Sequence, residues 1–418
     1  MVSNNTIDSL IDKAMFDSDL TVKQNCQQKI RDMAAANGIS LTSIQGLYEA
    51  AGKGLYRNKT VPAMNIRGLT YHTARAVFRT AKKYKVGAFV FEIARTEMVY
   101  TDQTPAEYAV SILAAAIKED YKGPIFIQGD HFQASRSRFA KNPAEEMNVL
   151  EAAARTAISA GFLNIDIDSS TLVDLSKPTV DEQQRNNYEV AADLTRFIRS
   201  IEPGGMTVSV GGEVGEVGKS NTTVAELQAY MNGYRKRLGP GTKGITKMAV
   251  QTGTTHGGVV LPNGKIAEVN LDFKVIEELG KVAREEYGVG GIVQHGASTL
   301  PEEMFELFPK AGTLEVHLAT EFQNIIYDNP AFPGELLNRM YGYIKEKYAD
   351  EWAKGDTEEQ FLYKTRKKAF GGFKRETWHI PEKNLQEIIA PLENKFALLF
   401  QRLNVTNTME LVSKYCGK

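Results

Sequence analysis

The sequence predicts an α/β fold, a (β/α)8 TIM barrel carrying helical extensions at both ends. Three observations lead there. From Val61 onward, short apolar runs alternate with longer helical patterns, and the alternation repeats eight times. The length of 418 residues accommodates a barrel of about 250 residues with additions. Polar residues recur at one end of runs that would be Val-, Ile- and Leu-rich throughout if they only filled a core.

Residues 1–58 read as an amphipathic helical extension, with Leu10, Ile11 and Met15, then Ile30, Met33 and Ala34, at helical spacing. No motif lies there, so packing or oligomer contact is its expected role. The barrel is placed at 59–329. Its strands are expected at Val61–Ile66, Ala88–Ala94, Ile125–Gln128, Asn164–Asp168, Thr207–Val214, Met248–Gly253, Gly291–Gln294 and Leu314–Leu318. Helical patterns fall near 70–85, 104–118, 143–160, 181–201, 223–238, 273–287 and 301–310. Thr104-Pro105-Ala106-Glu107 and Thr299-Leu300-Pro301-Glu302 supply helix-opening chemistry. After Gln323 the composition shifts to Lys, Glu, Tyr and Trp at helical spacing, which places a C-terminal helical extension at 330–418. Gly371-Gly372 is expected to mark a loop within it.

Composition narrows the function. Lys plus Arg number 50 against 51 Asp plus Glu, so no strongly basic face is implied and nucleic acid is a poor partner. Cys26 and Cys416 sit near opposite ends, which suits a reducing cytoplasm rather than a disulfide framework. No apolar run approaches the roughly 20 residues of a membrane span, and the N-terminal residues do not read as a secretory signal.

The expected strand ends carry Asn65, Glu92, Asp130, His131, Asp168, Glu213, His256, His295, Ser298 and His317. Four of the six histidines are among them, whereas His72 and His379 read as ordinary structural or surface residues. His131, His256 and His295 would converge on one rim of a parallel barrel, and three imidazoles with an open fourth position suit a catalytic zinc ion (Zn2+). Asp130 precedes the first of them. As successive strand residues, Asp130 and His131 are expected to diverge, which leaves Asp130 for proton transfer. His256-Gly257-Gly258 and His295-Gly296-Ala297-Ser298 offer backbone N–H groups and a hydroxyl suited to a phosphate, the second beside a helix expected near Pro301. The run Val210-Gly211-Gly212-Glu213-Val214-Gly215-Glu216-Val217-Gly218 lacks the dinucleotide-binding spacing and reads as a mobile loop with two carboxylates near the rim. No expected strand end carries a lysine, so metal-assisted chemistry is favoured over a Schiff base.

In order and spacing these motifs resemble the class II, metal-dependent ketose-bisphosphate aldolases. The resemblance rests on Gly129-Asp130-His131, Gly161-Phe162 through Asp168-Ser169-Ser170, and Glu213-Val214-Gly215. Gly253 through His256-Gly257 with Leu271-Asp272-Phe273, and His295 through Ser298, complete it. It covers roughly Val61 to Gln323. It implies Asp130 as acid/base and His131, His256 and His295 as zinc ligands. Glu213 and Asp168 would hold a displaced metal or a second divalent or monovalent cation. Gly257, Gly296 and Ser298 would cradle a phosphate with help from Thr320, and Asn65 would face substrate. Arg375 is a candidate to reach a neighbouring subunit's substrate phosphate, in a homo-oligomer of two or more copies.

The resemblance thus implies a cytoplasmic, zinc-dependent lyase acting on a phosphorylated sugar, fructose 1,6-bisphosphate first. Two other readings stand beside it. The stretch from Glu92 to Pro105 is more similar to a non-catalytic accessory subunit of a tagatose-bisphosphate aldolase-like system, and a metal-dependent sugar-phosphate isomerase or epimerase would share the same residues. One departure is His317, which stands where the family usually has an asparagine. It is expected at the substrate rim as an orienting group, since a fourth imidazole would close the zinc position that substrate needs.

Overall fold

A computed structural model describes residues 4–215, 220–253 and 271–417. Strand β1 is the pair Leu41–Thr42, followed by β2 (Val61–Asn65), β3 (Val90–Ala94), β4 (Ile125–Gln133), β5 (Asn164–Asp168), β6 (Ser209–Glu213), β7 (Lys247–Ala249), β8 (Ile292–Gln294) and β9 (Glu315–Leu318). Strands β2 to β9 pair in parallel, each with its chain neighbour, and β9 returns to β2 through Val61↔Glu315 and Ala63↔His317. The ring is a closed eight-stranded barrel, as the alternation of patterns predicts. Strand β1 pairs in parallel with the start of β4.

Most connecting helices begin where the sequence carries capping chemistry. Pro105–Lys118 opens with Thr104 accepting from the Glu107 amide while the Glu107 side chain returns to the Thr104 amide. Thr223 and Glu226 do the same for Val224–Leu238. The segment expected as a helix over 301–310 is instead a 3-10 turn, Glu302–Glu306, and one α-turn, Leu307–Lys310. Its short, tight start weakens the helix-terminus contribution expected for a phosphate beside Ser298.

Both terminal segments share the barrel's hydrophobic core. The N-terminal part contributes Asn4–Phe16, Leu20–Ala36 and Gln45–Gly52 as helices. In the C-terminal part, Glu382–Arg402 packs on the barrel helix Thr70–Tyr84, and Phe400 meets Phe89 at 5.8 Å between ring centroids. The two ends also meet each other, with Phe16 edge-on to Trp378 at 5.4 Å. Gly371-Gly372 does not form the expected loop. It closes the short helix Ala369–Gly372, where absence of a Cβ lets Gly371 approach the Tyr100 carbonyl.

Candidate active site at the barrel mouth

Strand β4 departs from regular alternation where the chemistry begins. Gly129 pairs with Ile165 and Phe132 with Ile167, so Asp130 and His131 together oppose the single residue Asp166. This is a β-bulge, and His131 takes the left-handed conformation, φ 43°. Gly129 permits it, because a Cβ there would meet the Phe132 ring at 2.2 Å. The bulge corrects the expectation that adjacent residues diverge. Asp130 and His131 both turn into one recess, lined also by Asp168, Glu213, Lys247 and His295.

His131 Nδ1 lies 3.1 Å from Asp168 Oδ2 and 3.8 Å from Glu213 Oε2. Asp168 is fixed in turn by the Gln133 amide at 2.6 Å and the Ser170 hydroxyl at 2.7 Å. The His131 and His295 rings stand 4.6 Å apart, and those of His295 and His317 4.2 Å apart. Ligand-capable atoms of His131, Asp168 and Glu213 all lie within 4.8 Å of one another, as do those of Asp130, His295 and His317. His256 and Gly257 lie outside the described residues, as does Glu216 of the glycine-rich run.

Burial dominates the Glu213 carboxyl and, with the Asp168 charge, pushes it up to about 8. His131 goes up as well, since Asp130, Asp168 and Glu213 outweigh the burial that opposes a charged ring. Asp130 is the counterpart. Burial alone would raise it, yet His131, His317 and His295 hold it well below the ordinary carboxylate range.

Beneath this rim lies a second polar layer. His317 is buried, with Nδ1 3.1 Å from Glu92 Oε2 and Nε2 2.6 Å from Glu315 Oε1. Lys247 opens β7, one residue before that strand's expected start, and its amine donates to Gln128 Oε1 at 2.6 Å, to Asp166 Oδ2 at 2.9 Å and to Glu315. The amine rises from the strand's first residue and is committed to ion pairing. From below, Tyr48 of Gln45–Gly52 donates its hydroxyl to Glu315, so the N-terminal segment plugs the barrel floor. Gly211 supplies room, because a Cβ there would meet Asp166 Oδ1 at 2.4 Å and Lys247 Cε at 2.9 Å. The first part of the glycine run is therefore a buried strand and not a mobile loop.

Sequence reading missed Lys247, Gln128, Asp166 and Glu315. A signal was present: Gln128/Asp130, Asp166/Asp168 and Glu315/His317 are spaced by two, which puts each pair on one face of its strand.

The other expected residues fall around the mouth. Asn65 is buried, its amide donates to Glu97 Oε2 at 2.5 Å, and its Oδ1 has no hydrogen bond among the described residues. Gly296 adopts φ 71°, and Ser298 Oγ accepts from the Ala319 amide at 2.7 Å, tying the loop after β8 to that after β9. Thr320 is buried at the start of Thr320–Tyr327. Arg375 lies against the Phe16 ring at 5.5 Å, on the N-terminal helix. His72 is half-buried with Nε2 3.2 Å from the Trp378 carbonyl, and His379 is exposed and 2.7 Å from Asp12.

Fold and rim together define a (β/α)8 barrel with imidazoles and carboxylates gathered as candidate cation ligands at its C-terminal mouth. The chain belongs to the class-II fructose-bisphosphate aldolase family, whose pattern matches residues 42–370. Among solved structures it is similar to fructose-bisphosphate aldolase of Campylobacter jejuni. The two share 17% identity over 88% of this chain and 97% of the other, with a TM-score of 0.54. The YdjI aldolase of Escherichia coli K12 gives 13% identity over 88% and 99%, TM-score 0.52. Fructuronate-tagaturonate epimerase UxaE of Cohnella laeviribosi gives 13% over 84% and 82%, TM-score 0.57. At these identities the likeness is one of fold. Among the described residues, no helix is long and apolar enough to cross a membrane.

Proposed function

We propose that this chain is a zinc-dependent class II aldolase. It reversibly cleaves fructose 1,6-bisphosphate to dihydroxyacetone phosphate and glyceraldehyde 3-phosphate, in cytoplasmic carbohydrate metabolism of the glycolytic type. The observation that carries the reading is Asp130. Its carboxylate is buried and faced across the barrel by His317 Nδ1 at 3.3 Å, yet Oδ1 makes no aligned hydrogen bond among the described residues. A buried carboxylate oxygen left without an aligned donor at the barrel mouth is positioned to take a proton from substrate.

The donor set fits a divalent cation, since imidazole nitrogens and carboxylate oxygens are the groups zinc accepts. His131 and His295, with His256, would hold it, and Asp168 and Glu213 would serve a displaced or second cation. When bound, the metal supplies Lewis-acid stabilisation of charge developing on the ketose oxygens. The chain's own residues do the rest. Asp130 accepts the C4 hydroxyl proton as the C3–C4 bond breaks and its electron pair stays with C3, and a proton returned to C3 completes the ketone product. Asp168 fixes the His131 ring. Gly296 and Ser298, with Gly257 and Thr320, receive a phosphate, Asn65 faces substrate, and His317 orients it from below. Arg375 is kept as a residue offered to a neighbouring copy in a homo-oligomer.

Purified protein assayed with fructose, tagatose and sedoheptulose bisphosphates, with and without chelator, tests this. Chelator-sensitive cleavage of the fructose ester is expected. Interconversion of epimers without cleavage would make the chain an epimerase. Inertness of metal-loaded protein would make it an accessory barrel.

A further inference from the structure

Strands β2, β8 and β9 begin at Val61, Ile292 and Glu315, so the residues just before them stand at the N-terminal face of the barrel, opposite the mouth. A cleft of about 250 Å³ opens there between three stretches of chain. Tyr56, Arg57 and Lys59 come from the N-terminal segment, Glu277 and Arg284 from the helix Phe273–Glu285, and Thr313 from the turn into β9.

Positive charge is in excess in this cleft. Arg57 donates through Nε to the Gly54 carbonyl at 3.2 Å, and Arg284 through Nη1 to the Gly312 carbonyl at 3.1 Å. Neither guanidinium has a carboxylate in ion-pairing range among the described residues. A guanidinium has five N–H groups, so one bond apiece leaves most of each fork open. Lys59 adds a third positive charge, and Lys310 a fourth that is paired with Glu306 at 3.2 Å. Glu277 is the one carboxylate among the described lining residues. Arg284 is half-buried and closely held, since a Cβ on Gly291 or on Gly312 would meet one of its Nη atoms at 3.3 Å. Burial, then the Arg57 charge, lowers its guanidinium, and an anion between the two would relieve that repulsion.

Two buried hydroxyls line the same cleft. Tyr56 and Thr313 are 4% and 1% exposed, and neither Tyr56 Oη nor Thr313 Oγ1 has a hydrogen bond among the described residues. Buried polar groups ordinarily have a partner, and an acceptor oxygen seated in the cleft would supply one.

We propose that this cleft binds a phosphate group between Arg57 and Arg284, with the Tyr56 and Thr313 hydroxyls donating from its buried wall. Two guanidinium forks on separate elements call for an anion with oxygens on several sides and about two negative charges, which phosphate has and a carboxylate lacks. Free phosphate and a phosphate ester share that chemistry. The site lies at the end of the barrel remote from Asp130, and it stands whether or not the mouth is that of an aldolase. Arg57 belongs to the N-terminal segment and Arg284 to a barrel helix, so the bound anion clasps that segment to the floor that Tyr48 plugs.

The test is calorimetric titration of metal-loaded protein with inorganic phosphate, and separately with glycerol 3-phosphate. Wild type is compared with Arg57→Gln, Arg57→Lys, Arg284→Gln and Ser298→Ala. One class of phosphate site is expected to weaken about 10- to 100-fold in both glutamine variants, the scale of a charge-assisted hydrogen bond. Arg57→Lys should keep part of that affinity, and Ser298→Ala, at the mouth, should leave it unchanged. Phosphate should also raise the Tm of wild type more than that of Arg57→Gln, because a ligand of the folded state stabilises it by mass action. Tighter binding of the ester assigns the cleft to organic phosphates, and tighter binding of inorganic phosphate assigns it to the free ion. Arg57 is exposed and bonds only within its own turn, so Arg57→Gln decides the question even where Arg284→Gln disturbs the fold. Phosphate isotherms unchanged in Arg57→Gln, or a signal lost in Ser298→Ala and kept in both glutamine variants, overturn the proposal.

Discussion

His317 Nδ1 stands 3.3 Å from Asp130 Oδ1, although β9 and β4 are separated in the sheet by β2 and β3. The contact crosses the barrel interior, and His317 also faces Glu92 and Glu315. Those carboxylates overcome the burial that would otherwise discharge the ring, and they raise it well above its ordinary value. Replacing His317 with asparagine, the residue more usual in the family, removes a cation from beside Asp130. His317→Asn is expected to retain zinc and to move the acid limb of the kcat profile to higher pH, because the Asp130 carboxyl rises when a neighbouring positive charge is lost. Metal titration beside a pH–rate profile checks this. Lost zinc with an unmoved limb would place His317 in the metal shell.

Asp130→Ala is expected to keep its metal while kcat falls on the order of 10²–10⁴, the range for a positioned acid/base. Metal analysis and steady-state kinetics on one preparation separate the roles. Parallel loss of metal and rate would make Asp130 a ligand.

The cation should compete with protons. His131 is raised by its carboxylate neighbours against burial, and Glu213 is raised to about 8. Ligands bind metal deprotonated, so zinc affinity should strengthen as the pH rises from 6 toward 8, with protons released on binding. Calorimetry in buffers of different ionisation enthalpy measures that release. Chelation should abolish activity and zinc or cobalt restore it. A pH-independent affinity would contradict the assignment of these groups.

Lys247 with Glu315 and Asp166 is a buried ion cluster, and removing one member strands the others. Lys247→Met is expected to cost about 3–5 kcal/mol, measured by denaturant unfolding. The double variant Lys247→Met/Glu315→Leu should lose less than the sum of the single changes. Burial opposes ionisation of Glu315, but Lys247 and His317 hold its carboxyl below the ordinary range. Its contribution is therefore present above the unfolded value of roughly 4.3 and fades as the pH falls through the lower folded one. Additive single effects would show that the cluster is not coupled.

Sequence reading reached the barrel because each strand and helix signals itself locally. Val61–Asn65, Asn164–Asp168 and the capping box at Thr104 are consequences of residues a few positions apart. Tips of the strands were legible for the same reason: Asp130, His131, His295 and His317 are polar where a core-filling strand is apolar. Strand ends were less so, and β7 is only Lys247–Ala249 where Met248–Gly253 was expected.

The sequence by itself determined the eight barrel strands and the order of elements, and it marked Asp130, His131, Asp168, Glu213 and His295 as polar groups at strand ends, since periodicity and chain order are one-dimensional properties. The tertiary structure alone decided the rest. Only barrel closure brings Lys247 of β7 against Glu315 of β9, and only the bulge in β4 turns both Asp130 and His131 inward. Tyr48 reaches Glu315 at the barrel floor across a separation of 267 residues. Charges that meet through folding interact through space and low dielectric, and no local pattern in the chain encodes that distance.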